Sequence, residues 1–157
     1  MASSLAVDLA LPKKEKYEVL GPQMKALFEG EENLIANMAN CSAVLKEVFG
    51  FLWCGFYLVE GEQLVLGPFQ GPIACTRLFK GKGVCAAAWE KNETVIVADV
   101  DAFPGHVACS SSSRSEIVLP VRNKKGEVIA VLDVDSDQLN DFDQIDEHGL
   151  EAIIKYL

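Results

Sequence analysis

The chain has 157 residues, half of them hydrophobic, and a formal net charge of −9 at pH 7. That length suits one domain with a sizeable core, no apolar run approaches the roughly 20 residues of a membrane span, and the acidic balance without a basic stripe argues against nucleic acid as a partner. Residues 1–11 show no basic region followed by an apolar block, and the five cysteines are an odd number, so reduced thiols in a cytoplasmic protein are expected.

Residues 1–12 read as an N-terminal arm, and residues 13–157 as a single domain. From Lys13 the apolar residues Tyr17, Leu20, Met24, Leu27 and Phe28 recur at helical spacing. Gly21-Pro22 is expected to kink or divide that helix. A second helix is expected from about Glu31 to Phe49, ended by Gly50. Cys41 lies within it and reads as a small buried apolar residue. The period then changes to two. Phe51–Val59 reads as a central strand, Glu60-Gly61-Glu62 as a turn, and Gln63–Phe69 as the returning strand of a hairpin. Trp53, Gly55 and Tyr57 share one face of the first strand. Two large rings beside a glycine are either ordinary core or the wall of a small pocket.

Gly71–Leu78 is expected to be a third strand with Cys75 near its middle. Gly81-Lys82-Gly83 opens a short helix, Val84–Lys91, with Cys85 in the first turn, where a helix N-terminus favours the thiolate. The glycines are too few for a phosphate-binding loop. Thr94–Ala98 is a β-branched strand. A long connection follows, from Asp99 to the run His106-Val107-Ala108-Cys109-Ser110-Ser111-Ser112-Ser113. Loops of that length in small domains usually carry function. A serine run cannot form core, so Cys109 sits on a loop, as part of either a plain polar connection or a nucleophilic site. Ser115–Arg122 and Glu127–Asp135 form a hairpin, and Phe142–Leu157 a final amphipathic helix. The order predicts an α+β sandwich: an antiparallel sheet with helices packed on one face and loops over the other.

Three carboxylates stand out. Asp133 and Asp135 occupy one face of a strand, where aspartate is depleted, and Glu116 lies on the preceding strand. Such groups repel unless they meet a cation or share protons. Cys75, Cys85 and Cys109 all stand in segments covering the same face. Cys75, Cys85, His106 and Cys109 lack the paired spacing of usual zinc sites, so a metal is not expected. Thiols beside aromatic walls and buried carboxylates suit thiol-based reduction of a small amino-acid-like zwitterion.

Specific motifs sharpen this reading. Trp53-Cys54-Gly55-Phe56-Tyr57, Gly67-Pro68-Phe69-Gln70-Gly71-Pro72 leading to Ala74-Cys75, and Gly81-Lys82-Gly83-Val84-Cys85 come first. His106–Ser113 around Cys109, Ser115–Val121 and Val131–Ser136 complete the set. In these the chain resembles the free methionine-(R)-sulfoxide reductases, a family built on a GAF domain, from about Tyr17 onward. The resemblance implies a GAF-like sheet with active-site loops on one face and a single GAF domain over residues 13–157. It implies that Cys109 attacks the sulfoxide sulfur and that Cys75 resolves the resulting sulfenic acid as a disulfide, with Cys85 a second or alternative thiol. Glu116, Asp133 and Asp135 would hold the substrate ammonium and serve the S–O group, while Trp53 and Tyr57 would wall the methyl-sulfur end. No bound cofactor is implied; thioredoxin, fed by NADPH, would restore the dithiol, and the protein would be a homodimer. The alternative is a metabolite-sensing GAF module without catalysis.

Overall fold

Six strands form one antiparallel sheet: β1 (Trp53–Glu60), β2 (Gln63–Gln70), β3 (Arg77–Phe79), β4 (Val95–Val97), β5 (Ser115–Arg122) and β6 (Val128–Ser136). Their order across the sheet is β3-β2-β1-β6-β5-β4. Four helices complete the architecture: α1 (Lys13–Phe28), α2 (Leu34–Phe49), α3 (Gly83–Lys91) and α4 (Gln144–Ile154). This is the arrangement of a computed structural model that describes residues 4–157; the first three residues of the arm lie outside the described residues. Among the described residues no helix is long and apolar enough to cross a membrane.

Alternation along β1, β5 and β6 divides the interior in two. Cys54 and Phe56, Ile117 and Leu119, and Leu132 and Val134 point to the face covered by α1, α2 and α4. There they meet Leu20, Met24, Met38, Leu45, Leu150 and Ile153, all fully buried. Truncating any of these leucines to alanine should cost about 2–5 kcal/mol. Trp53, Tyr57, Val118 and Val131 point the other way, to α3 and the long loops. The second face is therefore covered by a helix as well as by loops, because Val84, Cys85 and Ala88 give α3 its own buried stripe.

Several boundaries differ from those expected. Gly21-Pro22 does not divide α1, which runs unbroken through Pro22. Proline and glycine fall on its outer side, while Tyr17, Leu20, Met24 and Phe28 anchor the inner stripe on both sides of the break. The second helix starts at Leu34 rather than Glu31. Asn33 caps it, its side chain accepting from the Ala36 amide at 3.0 Å. The last helix is shorter than Phe142–Leu157 because Asp143 sets its start through a capping box with Asp146. The expected strand Gly71–Leu78 shrinks to Arg77–Phe79, leaving Cys75 on a loop. Gly71 lies at φ 137°, a conformation closed to most side chains, and Pro72 has no amide to give a ladder.

The arm is not loose. Leu5 and Val7 pack against the helical core, and Gln23 of α1 clamps Ala6, accepting from its amide at 2.8 Å and donating to its carbonyl at 3.0 Å.

Candidate active site

The β5–β6 and β1–β6 registers assemble the site. Glu116 pairs with Asp135, and Asp135 with Trp53, so these three side chains form one row across β5, β6 and β1. Asp133, two residues earlier on β6, belongs to the next row on the same face. The expectation that the three carboxylates meet on neighbouring strands is met. The cavity they line is walled by Trp53 and Tyr57, whose ring centroids are 5.9 Å apart, and bordered by residues 72–74 and 82–85 and by His106, Val107, Cys109, Ser110 and Ser113. All eight residues proposed from the sequence lie in or at this cavity: Cys109, Cys85, Trp53, Tyr57, Glu116, Asp133 and Asp135 line it. Cys75 is tied to its edge through a disulfide.

That disulfide joins Cys75 to Cys109, with 5.4 Å between their Cα atoms. It links the loop before β3 to the loop before β5, and its Cys109 end lines the same cavity as the carboxylates. Two hydrogen bonds fix the first loop to the aromatic wall. Tyr57 donates from its hydroxyl to the Cys75 carbonyl at 2.8 Å, and the Trp53 indole donates to the Pro72 carbonyl at 3.0 Å. The aromatic pair thus has two tasks, one toward the cavity and one toward the backbone that carries Cys75.

Gly55, between the two rings on β1, does not open space for a ligand. A Cβ there would overlap Phe69 and lie 2.7 Å from the Phe69 Cα, so its missing side chain serves the close approach of β2 at a register shift. Phe69 fills the gap and stacks on Trp53 at 5.2 Å.

The electrostatics follow from burial. Glu116 is 6% and Asp133 7% exposed. Burial pushes the Glu116 carboxyl well above its ordinary range, and the neighbouring Asp133 and Asp135 push it further. Asp135 is raised in the same way, against a 2.6 Å hydrogen bond donated by the Ser113 hydroxyl. Asp133 is also raised by burial. Its Oδ1 is, among the described residues, the one buried side-chain oxygen or nitrogen without a hydrogen-bond partner. An unpaired buried acceptor is costly, and Asp133 is among the residues lining the cavity. His106 adds an imidazole, its Nε2 3.8 Å from Glu116 Oε2.

Cys85 corrects an expectation. Its place in the first turn of α3 suggested an easily ionised thiol. It is buried instead, and burial pushes its thiol well up, with Asp133 and Glu116 adding to the effect. Burial first, and the acids Asp133, Glu116 and Asp135 after it, outweigh one helix end. Ser113 is the site residue that the sequence did not single out. The signal was its place at the end of the serine run, one turn before β5, but four identical neighbours hid which hydroxyl mattered.

Comparison with known proteins places this geometry. The GAF domain model matches residues 38–157. The chain is 59% identical to GAF domain-containing protein A of Dictyostelium discoideum over 157 residues, 98% of this chain and 99% of that protein. It is 46% identical to free methionine-R-sulfoxide reductase of Escherichia coli K12 over 92 residues, covering 58% of this chain and 56% of that protein. Its structure is similar to that of free methionine-R-sulfoxide reductase from Neisseria meningitidis, solved in complex with its substrate. The TM-score is 0.94 and the identity 49%, over 99% of this chain and 93% of that one. The chain belongs to the GAF domain family and, within it, to the free methionine-R-sulfoxide reductases.

Proposed function

We propose that this chain reduces free L-methionine-(R)-sulfoxide to methionine in the Trp53–Tyr57 cavity, with Cys109 as the nucleophile. The observation that carries the reading is the Cys75–Cys109 disulfide at a cavity lined by three carboxylates, Glu116 and Asp133 buried and Asp135 half-buried. The Cys109 thiolate attacks the sulfoxide sulfur while the S–O oxygen gains a proton. Methionine leaves, and the oxygen remains on Cys109 as sulfenic acid. The Cys75 thiol attacks that sulfur, water departs, and the disulfide forms. An external dithiol then restores both thiols and is itself oxidised; thioredoxin, kept reduced by NADPH, fits that role.

The carboxylates divide the remaining work. Asp133 offers the unpartnered oxygen that suits the substrate ammonium. Glu116 and Asp135, with carboxyls raised by burial and mutual repulsion, suit proton donation to the sulfoxide oxygen near neutral pH. Trp53 and Tyr57 give the apolar methyl-sulfur end its contact. Cys85 stays beside the carboxylates as a reserve thiol. The odd cysteine count and the resemblance support a cytoplasmic homodimer.

The test mixes reduced protein with racemic free methionine sulfoxide, thioredoxin, thioredoxin reductase and NADPH. NADPH consumption that stops at half the sulfoxide supports the enzyme. Binding without turnover would instead identify a sensor. Cys75→Ser should still release one methionine per site while thioredoxin-supported turnover slows sharply; unchanged turnover with Cys85 also removed would exclude both as resolving thiols.

A further inference from the structure

We propose that Cys85, Glu116 and Asp133 form a site for a divalent cation of the zinc class, completed by His106, and that such an ion competes with substrate for the carboxylates. One ligand atom from each of the three residues lies within 4.8 Å of the other two. All three are buried. Asp133 Oδ1 has no partner in the protein, and His106 Nε2 stands 3.8 Å from Glu116 Oε2. The donors are one sulfur, one imidazole nitrogen and two carboxylates. Zn²⁺ takes that mixture at about 2.0–2.3 Å in tetrahedral sites, whereas Mg²⁺ and Ca²⁺ favour oxygen alone. At those bond lengths the Cys85, Glu116 and Asp133 donor atoms need to draw together by roughly 1 Å, and the His106 ring, outside that cluster and near Glu116 alone, needs to swing further in.

Cys85 separates this site from a plain ammonium pocket. An ammonium uses the carboxylates but gains little from a buried thiol beside them. The proposed reaction runs on Cys109 and Cys75, so Cys85 is a buried sulfur without a necessary task. It is also free when Cys75 and Cys109 are bonded. The site is therefore complete in the disulfide form, where the other two pocket sulfurs do not ligate. Binding breaks the Cys85 S–H bond, forms a sulfur–metal bond and releases the proton to solvent, with no change of oxidation state.

The metal site rests on geometry alone; its competition with methionine rests on the proposed substrate. Protein with the Cys75–Cys109 disulfide formed is titrated with Co²⁺ spectroscopically and with Zn²⁺ calorimetrically. One ion per chain and a thiolate-to-cobalt charge-transfer band are expected. Cys85→Ser should abolish the band and weaken Zn²⁺ binding roughly tenfold or more. Cys54→Ser, at a buried thiol facing the opposite core, should keep both. Glu116→Gln should keep the band with weaker binding, which holds the test open if the Cys85 variant misfolds. No band, or a band surviving Cys85→Ser, overturns the site. Free methionine should displace the ion. A separate titration of methionine into metal-free protein shows that it binds; if it binds and the ion stays, competition is overturned.

Discussion

Two buried aspartates on opposite faces of the sheet show how one residue type serves two ends. Asp146, on α4, is fully buried and fully partnered. It accepts from the Tyr17 hydroxyl at 2.8 Å, from Lys13 Nζ at 2.7 Å and from the Asp143 amide at 3.0 Å. Asp133, on β6, is buried too but keeps one oxygen without a partner. The first carboxylate ties α1 to α4; the second lines the cavity with an unpaired acceptor, the position proposed for the substrate ammonium. The cysteines divide in the same way. Cys41 and Cys54 sit in the helix-side core, where burial pushes the Cys41 thiol up to about 12 and the Cys54 thiol well up, so neither offers a thiolate. Cys75 and Cys109 lie half-buried on loops and are bonded to each other. Completed polar groups mark the scaffold, and uncompleted or reactive ones mark the site.

The contrast is broken most strongly at the oxygen-side acids. Glu116→Gln or Asp135→Asn should lower the rate of methionine release roughly 10²-fold or more while leaving methionine affinity nearly intact, measured by single-turnover kinetics and equilibrium binding. If all three carboxamide variants lost binding equally and kept the chemical rate, the proton donor would have to move elsewhere, with His106 next. On the scaffold side, Asp146→Ala should cost about 2–3 kcal/mol in urea unfolding, because it strands the buried Tyr17 hydroxyl and removes its half of the capping box of α4 and the ion pair with Lys13. Its methionine affinity should stay that of the parent. Asp133→Asn should do the reverse, weakening methionine binding about 10-fold to 100-fold with no loss of stability, since a charge-assisted hydrogen bond goes only from the complex.

The smallest effect concerns pH. The carboxyls of Glu116, Asp133 and Asp135 are raised by folding, so the native protein binds more protons than the unfolded chain. Their effect on stability is therefore favourable below the unfolded carboxylate range and is lost as pH rises through the native range. Glu116→Gln removes that loss. It should raise stability by about 1 kcal/mol at pH 7, with the gain fading toward pH 4, in thermal unfolding across that range. A gain independent of pH would show that repulsion is not its source.

Much of this was legible because pattern and chemistry coincide in β5 and β6. Alternating β-branched residues set the register, and the register alone brings Glu116 beside Asp135. The period placed Trp53 and Tyr57 on one face of their own strand; their place beside the carboxylates was implied by the family resemblance, and the β1–β6 pairing provides it. Where a contact from far along the chain decides, the sequence misled. Gly55 looked like empty space until Phe69 filled it. Cys85 looked ionisable until burial under the carboxylates reversed the effect of its helix. Cys75 looked like a strand residue, but Gly71-Pro72 and the bond to Cys109 hold it on a loop. Asp146 carried no warning, since a D-x-x-D cap on a surface helix reads as solvated and only the docking of Tyr17 buries it.

The claim that the reactive sulfur is Cys109 is tested most directly by single turnover of the Cys109→Ser protein. The variant, fully reduced, is mixed with excess free methionine-(R)-sulfoxide without any recycling system, and methionine is quantified. A hydroxyl is a far poorer nucleophile than a thiolate at neutral pH, so no methionine should form, while Cys75→Ser should give one equivalent. One equivalent of methionine from Cys109→Ser would contradict the account.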